Sequence, residues 1–171
     1  MTTRHDLFNS PVGQLIIVRS NEGIERISLT HQRHLPETRE FGNYLKNSSP
    51  DATEQLNEYF DGQRREFDLP LIARGTEFQR RVWAALRTIR FGTTWTYKEL
   101  AEVIGQPTAV RAVGLANGRN PHAIVVPCHR VIGAKGVLTG YAGGLDTKAY
   151  LLTLEGLDVI NRDSPARMKV A

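Results

Sequence analysis

Apolar residues follow two different rhythms along this chain. In the first thirty positions they gather in short β-branched runs, at 13–18 and 23–29, separated by the turn-rich Ser20-Asn21-Glu22-Gly23. Such runs between turn residues predict strands. Residues 31–50 are polar and lack a period, so they are expected to be irregular. Over 51–60 the spacing becomes helical, with Leu56, Tyr59 and Phe60 on one side and Gly62 as the stop. Residues 62–75 then form a connector.

The second half predicts helices with explicit start signals. Thr76-Glu77-Phe78-Gln79 is a capping box, and Phe78, Val82, Ala85, Leu86 and Ile89 behind it share one helical face. Thr96-Tyr97-Lys98-Glu99 is a second capping box, opening a shorter helix through Ile104. Gly105-Gln106-Pro107-Thr108 breaks that helix, and a third follows to about Asn117. Two short helices around a tight glycine-containing turn make a helix-turn-helix candidate, a pattern that ordinary cores also contain.

On the third helix, Ala109, Ala112, Val113 and Ala116 fall on one stripe and are expected inside. Arg111, Gly114 and Gly118 fall opposite. Glycines with a single arginine are an unusual filling for a solvent face, where lysine and glutamate would be expected. The reading favours a surface that another backbone approaches closely.

Composition and charge refine this picture. The 171 residues are 40% hydrophobic and 23% charged, which is ordinary for a globular chain. No apolar run is long enough to span a membrane, and the first residues lack the apolar stretch of a signal peptide, so a cytoplasmic location without membrane attachment is expected. The net charge is +4, but residues 1–73 carry 8 Lys/Arg against 11 Asp/Glu, while residues 74–135 carry 10 against 3. A basic second half suits a polyanion partner; on charge alone a solvated basic face fits equally.

Cys128 is the only cysteine. It excludes an internal disulfide or a cysteine-rich zinc site, so no metal is expected. A lone cysteine is more commonly a small buried hydrophobe than a nucleophile. Its surroundings point the other way. Residues 123–126 read as a short buried strand ended by Pro127, which places Cys128 at a strand end. His129 and Arg130 follow at once, an electropositive setting that favours thiolate. Neighbours on an extended strand point to opposite faces, so adjacency alone does not establish a Cys–His contact.

Pro127-Cys128-His129-Arg130-Val131 resembles the active-site signature of the 6-O-alkylguanine-DNA alkyltransferases, also called methylated-DNA–protein-cysteine methyltransferases. The resemblance runs from Gly75-Thr76-Glu77-Phe78-Gln79 through Thr96-Tyr97, Arg111-Ala112-Val113-Gly114, Asn117-Gly118 and Asn120-Pro121 to Tyr141 and Glu155-Gly156. It covers roughly half the chain in order and spacing. The front half matches more loosely, by its strands and by Asn9-Ser10-Pro11-Val12-Gly13.

The resemblance implies an α+β chain in three parts. A small N-terminal β-sheet domain with a helix covers 1–73. A mostly helical domain with the helix-turn-helix and the strand leading to Cys128 covers 74–160, and 161–171 form a disordered tail. It implies DNA repair by stoichiometric transfer of an alkyl group from 6-O-methylguanine, and from 4-O-methylthymine, to Cys128. His129 is then the base, acting through a water, with Glu155 orienting it and Asn120 acting as a hinge. The helix-turn-helix binds the minor groove, Arg111 is the finger that fills the gap left by the flipped base, and Tyr97 presses on the neighbouring phosphate, with Gly114 and Gly118 beside the DNA. Tyr141, Ala142, Val131, Pro127 and Lys148 line the base pocket. Ala142 departs from members with a small hydroxyl residue there. No cofactor is implied, and the partner is double-stranded DNA met by a monomer, cooperative assembly being left open. The alternative is a protein that binds alkylated DNA without repairing it, which Cys128 speaks against.

Overall fold

The computed structural model describes residues 2–171. The chain divides into two compact units. One comprises the chain up to Arg74 together with Pro121–Val125; the other comprises Gly75–Asn120 and Val126–Ala171.

The first unit is built on a four-stranded sheet of β1 (Arg4–Ser10), β2 (Gly13–Arg19), β3 (Ile24–Leu29) and β4 (Asn43–Tyr44), in the order β3-β2-β1-β4. β2 pairs antiparallel with both β1 and β3, and β4 runs parallel to β1. The register sets Phe8 opposite Leu15 and Asp6 opposite Ile17. Phe60 of α1 (Pro50–Phe60) stacks on Phe8. Ile16 and Val18 point the other way, against Phe41 and Leu35. β2 is therefore covered on both faces, which explains why it reads as an unbroken apolar run. Residues 31–50, expected to be irregular, contain β4 and a 3-10 turn at Thr38–Phe41. Phe41 and Leu35 anchor an otherwise polar stretch, and two apolar contacts six residues apart make no period.

The second unit packs α2 (Glu77–Leu86), α3 (Tyr97–Val103), α4 (Val110–Gly118) and α5 (Leu145–Leu154). Both predicted capping boxes form, at Thr76/Gln79 and at Thr96/Glu99. α3 ends in a Schellman arrangement. Gly105 takes φ +73°, its N–H donates to Glu102, and the Gln106 N–H donates to Ala101. This closes the turn that sends the chain into α4. Between α2 and α3, β5 (Trp95–Thr96) pairs in parallel with β6 (Val131–Ile132).

Three expectations fail here. Residues 123–126 are buried but do not form a strand. Ile124 has φ +72° and the Val125 N–H donates back to the Ala123 carbonyl, so the chain turns instead. On α4, Ala112 is exposed and Ala109 only half-buried; the buried positions are Val113, Ala116 and Asn117. The third failure is the tail. β8 (Lys169–Val170) pairs with β7 (Val159–Ile160), and Met168 is fully buried with Ile132, Leu138, Ala149, Leu152 and Val159. One long apolar side chain anchors a segment whose composition is otherwise that of a loose end.

Met168→Ala should therefore cost about 2–5 kcal/mol of unfolding free energy in a urea titration. A loss near zero would mean that the terminal segment does not contribute to the core.

Candidate active site

The site lies within the second unit and begins with a turn. Pro127 has φ −82° and ψ 63°, and the Cys128 N–H donates back to the Val126 carbonyl at 2.8 Å, the geometry of an inverse γ-turn. Cys128 is thus the first residue of a 3-10 turn, Cys128–Arg130, and not the end of a strand. The Asn120 side chain donates to the Val126 carbonyl at 2.7 Å, tying together the two ends of the 121–125 excursion. Asn117, on the buried side of α4, donates to the Cys128 carbonyl at 3.4 Å.

Glu155 reaches the same place from α5. The helix stops at Glu155 because Gly156 takes φ +90°, with its N–H donating to Thr153 and that of Leu157 to Leu152. A carboxylate at a helix C-terminus faces the negative end of the helix dipole, and the Glu155 side chain has no solvent exposure. Two partners offset this, one a hydrogen-bond donor and one a fixed cation. His129 Nε2 lies 2.7 Å from Oε1. Arg130 donates through Nε to Oε2 at 2.8 Å and through Nη2 to Oε1 at 3.0 Å. Its Nη1 donates to the Ile89 carbonyl at 2.6 Å. Burial alone would raise the Glu155 carboxyl, but His129 and Arg130 together outweigh it and hold it well below the usual carboxylate range.

This arrangement corrects the reading of Arg130 as a neighbour that lowers the thiol. Its guanidinium is spent on Glu155 and Ile89, and Cys128, 7% exposed, is pushed up by burial. A hydrogen bond with Asn120, the charge of Lys148, and the Cys128 and His129 amides pull the thiol the other way without reversing the shift. Burial also lowers His129, against the pull of Glu155. A neutral imidazole with Nε2 against a carboxylate carries its proton there. That leaves Nδ1 as the basic atom, and it is buried with no protein partner.

Lys148 is fully buried, two helical turns before Glu155 and on the same face of α5. Its ammonium donates to the Val131 carbonyl at 2.6 Å and to that of Thr139 at 2.9 Å. Burial brings it down to about 8, opposed by its attraction to Cys128. The Thr139 carbonyl also accepts from the Tyr97 hydroxyl at 3.2 Å. The Val131 carbonyl is thus already engaged on one lone pair. Tyr141 is buried, Ala142 half-buried and Pro127 buried. Arg111 and Gly118 lie on the exposed side of α4. Gly114 does not: it is half-buried and faces the Tyr97 ring, which a Cβ there would meet at an ordinary contact of 3.7 Å.

Sequence reasoning missed Arg130 as a partner of Glu155, Asn117, and Trp83, whose indole donates to the Ala116 carbonyl at 2.8 Å beneath α4. A signal for the α5 pair did exist. Lys148 and Glu155 are charges seven residues apart on α5, a spacing that puts both on one face, while the helix's other charge, Asp146, is exposed in the first turn.

Two family models match nearly the whole chain: the DNA binding domain of 6-O-methylguanine DNA methyltransferase over residues 77–157, and its ribonuclease-like domain over residues 3–73. A methylated-DNA–protein-cysteine methyltransferase of Mycolicibacterium paratuberculosis is 51% identical over 160 residues, 94% of this chain and 93% of that protein. One from Methanosarcina acetivorans is 48% identical, covering 88% of this chain and 96% of its own. The crystal structure of Mycobacterium tuberculosis OGT in complex with DNA superposes with a TM-score of 0.84 at 47% identity, covering 89% of this chain and 92% of the other.

Replacing Arg130 with Met would leave Glu155 buried with half its partners, and the expected loss is about 3–5 kcal/mol of unfolding free energy. Glu155 also sets a pH dependence. Its folded value lies below the unfolded one of about 4.3, so its stabilisation is complete above that pH and is lost as pH falls below it. Glu155→Gln should flatten that acid limb of the stability curve. An unchanged acid slope, or a loss under about 1 kcal/mol for Arg130→Met, would contradict the pairing.

Proposed function

The chain belongs to the 6-O-methylguanine DNA methyltransferase family, and from that footing we propose that it repairs alkylated DNA by taking the alkyl group onto Cys128. The observation that carries this reading is the sole cysteine held beside a buried His129–Glu155–Arg130 network. A protein that only bound alkylated DNA would have no use for a nucleophile at this position, and Cys128 speaks against that alternative.

The lesion is an atom inside a duplex, so the nucleotide has to leave the stack before a buried sulfur can reach it. α3 and α4 form the helix-turn-helix that docks in the minor groove. Arg111 enters the gap left by the flipped base, and Tyr97 presses on the adjoining phosphate. Gly118 and the thin exposed face of α4 allow the DNA backbone to come close. The base then stacks near Tyr141. Its oxygen accepts from the backbone N–H at Ala142, and its exocyclic amine donates to the remaining lone pair of Val131. Pro127 closes the pocket floor, and Lys148 fixes the Val131 and Thr139 carbonyls that shape the wall.

At rest the thiol is neutral. When the base docks, the thiol proton passes to His129 Nδ1, bridged by water, while Glu155 and Arg130 hold the imidazole in place. The sulfur attacks the methyl carbon, the S–C bond forms and the C–O bond breaks. The electron pair goes to the guanine oxygen, and the proton taken from the thiol ends on the restored guanine. Nothing in the site can displace a thioether, so each molecule acts once. 4-O-methylthymine presents the same alkyl–oxygen bond and is a second substrate by this chemistry. The first unit and residues 161–171 serve as scaffold for a monomer.

Incubation with a duplex carrying 6-O-methylguanine should add one methyl to the peptide containing Cys128, read by mass spectrometry, and add nothing in Cys128→Ser. Absence of transfer by the wild type would sink the proposal. Arg111→Ala should lower the single-turnover rate on duplex by about 10²-fold or more, and do much less to the reaction with free 6-O-benzylguanine. Equal losses on the two substrates would rule out the finger role.

A further inference from the structure

We propose that Leu115 is a second DNA-contacting side chain, an apolar wedge that seats in the minor groove beside Arg111; this rests on the reading above. The face of α4 opposite the buried Val113, Ala116 and Asn117 is nearly bare. Ala112 and Gly118 present no bulk there, and a side chain added at Gly118 would meet nothing within 4 Å. Only two long side chains stand out from it, Arg111 and Leu115. Positions 111, 115 and 118 are four and three residues apart and so share one helical stripe. Leu115 is 70% exposed, more than any other large hydrophobic side chain described.

Isolated surface leucines are common and need no explanation on their own. What singles out this one is its place on the face that has otherwise been cleared for close approach. A side chain kept large where its neighbours are kept small acts as a projection, and an apolar projection does not seek phosphate. Exposed Arg80, Arg81 and Arg87, on and just after α2, and Arg119, at the end of α4, belong to the same basic unit and supply the attraction to a polyanion. Leu115 suits the floor of the minor groove, where apolar side chains pack on deoxyribose or wedge between base steps.

The spacing sets where it acts. Four residues of helix advance about 6 Å, close to two base steps of about 3.4 Å. With Arg111 in the gap of the flipped nucleotide, Leu115 meets the groove about two steps away. There it widens the groove and resists return of the base, and flexible pyrimidine–purine steps at that distance would accept it most readily.

Leu115→Ala keeps an excellent helix former at an exposed position, so the fold should hold. Binding to a duplex carrying 6-O-methylguanine, titrated at several salt concentrations, should weaken about three- to tenfold from the lost apolar contact. The slope of log affinity against log salt should match the wild type, because no phosphate contact is removed. The single-turnover rate on duplex should fall by a similar factor, well beyond any change with free 6-O-benzylguanine. Undiminished duplex binding, a shallower salt slope, or a parallel loss on both substrates would each overturn the wedge role while leaving the repair reading intact. Failure of the wild-type protein to take an alkyl group from either substrate would instead overturn the repair reading, and the wedge with it.

Discussion

A carboxylate without access to water must be paired, and the second unit is organised around pairing one. Glu155 ends α5 at the helix pole that repels it, with no solvent exposure. His129 and Arg130 answer from the 3-10 turn, and the far side of Arg130 is bonded to the Ile89 carbonyl after α2. Three separated stretches of chain are thereby fixed by one charge. Cys128 opens the turn that carries both partners, so its backbone has little freedom once Glu155 is satisfied. The arrangement costs stability that an apolar core would not, and what it secures is orientation: an imidazole with one nitrogen committed and the other free to take a proton.

On the proposed reading, the same network leaves the nucleophile unactivated in advance, since burial pushes the Cys128 thiol up. With Arg130 neutralised by Glu155, the cysteine sees burial first, the Asn120 hydrogen bond next and the Lys148 charge only after that. A resting thiol protects a single-use protein from wasting its one reaction on stray electrophiles. In the mechanism proposed above, activation waits for a substrate that fills the pocket and brings the proton acceptor into play. The supporting residues are arranged accordingly. Lys148 spans the Val131 and Thr139 carbonyls, and Thr139 also holds the Tyr97 hydroxyl. One side of the proposed base pocket is thereby linked by hydrogen bonds to the first residue of α3.

Local signals in the sequence were legible where the physics is local. The two capping boxes, the glycine stop at Gly105 and the apolar runs of β2 and β3 depend on neighbours a few residues away, and the structure contains them. What could not be read depends on distant partners. Residues 123–126 have strand composition, yet they turn at Ile124 because the chain must join His122, bridged to Ile27, with the Cys128 turn. Arg130 looked like a cation for the thiol until Glu155, 25 residues on, claimed it. Met168 made the tail part of a core that no periodicity announces. Ala112 was placed inside because alanine is compatible with either side of a helix; Trp83, Ala116 and Asn117 fix which side is buried.

The central claim is that the sole cysteine rests as a buried neutral thiol beside a pre-formed imidazole–carboxylate–guanidinium network. Because Cys128 is the only thiol, the ultraviolet absorbance of its thiolate can be followed by pH titration of the wild type against Cys128→Ser. The account predicts no thiolate signal at neutral pH and its appearance only above the ordinary thiol range of about 8.5. A full thiolate signal at neutral pH in the unliganded protein would contradict it.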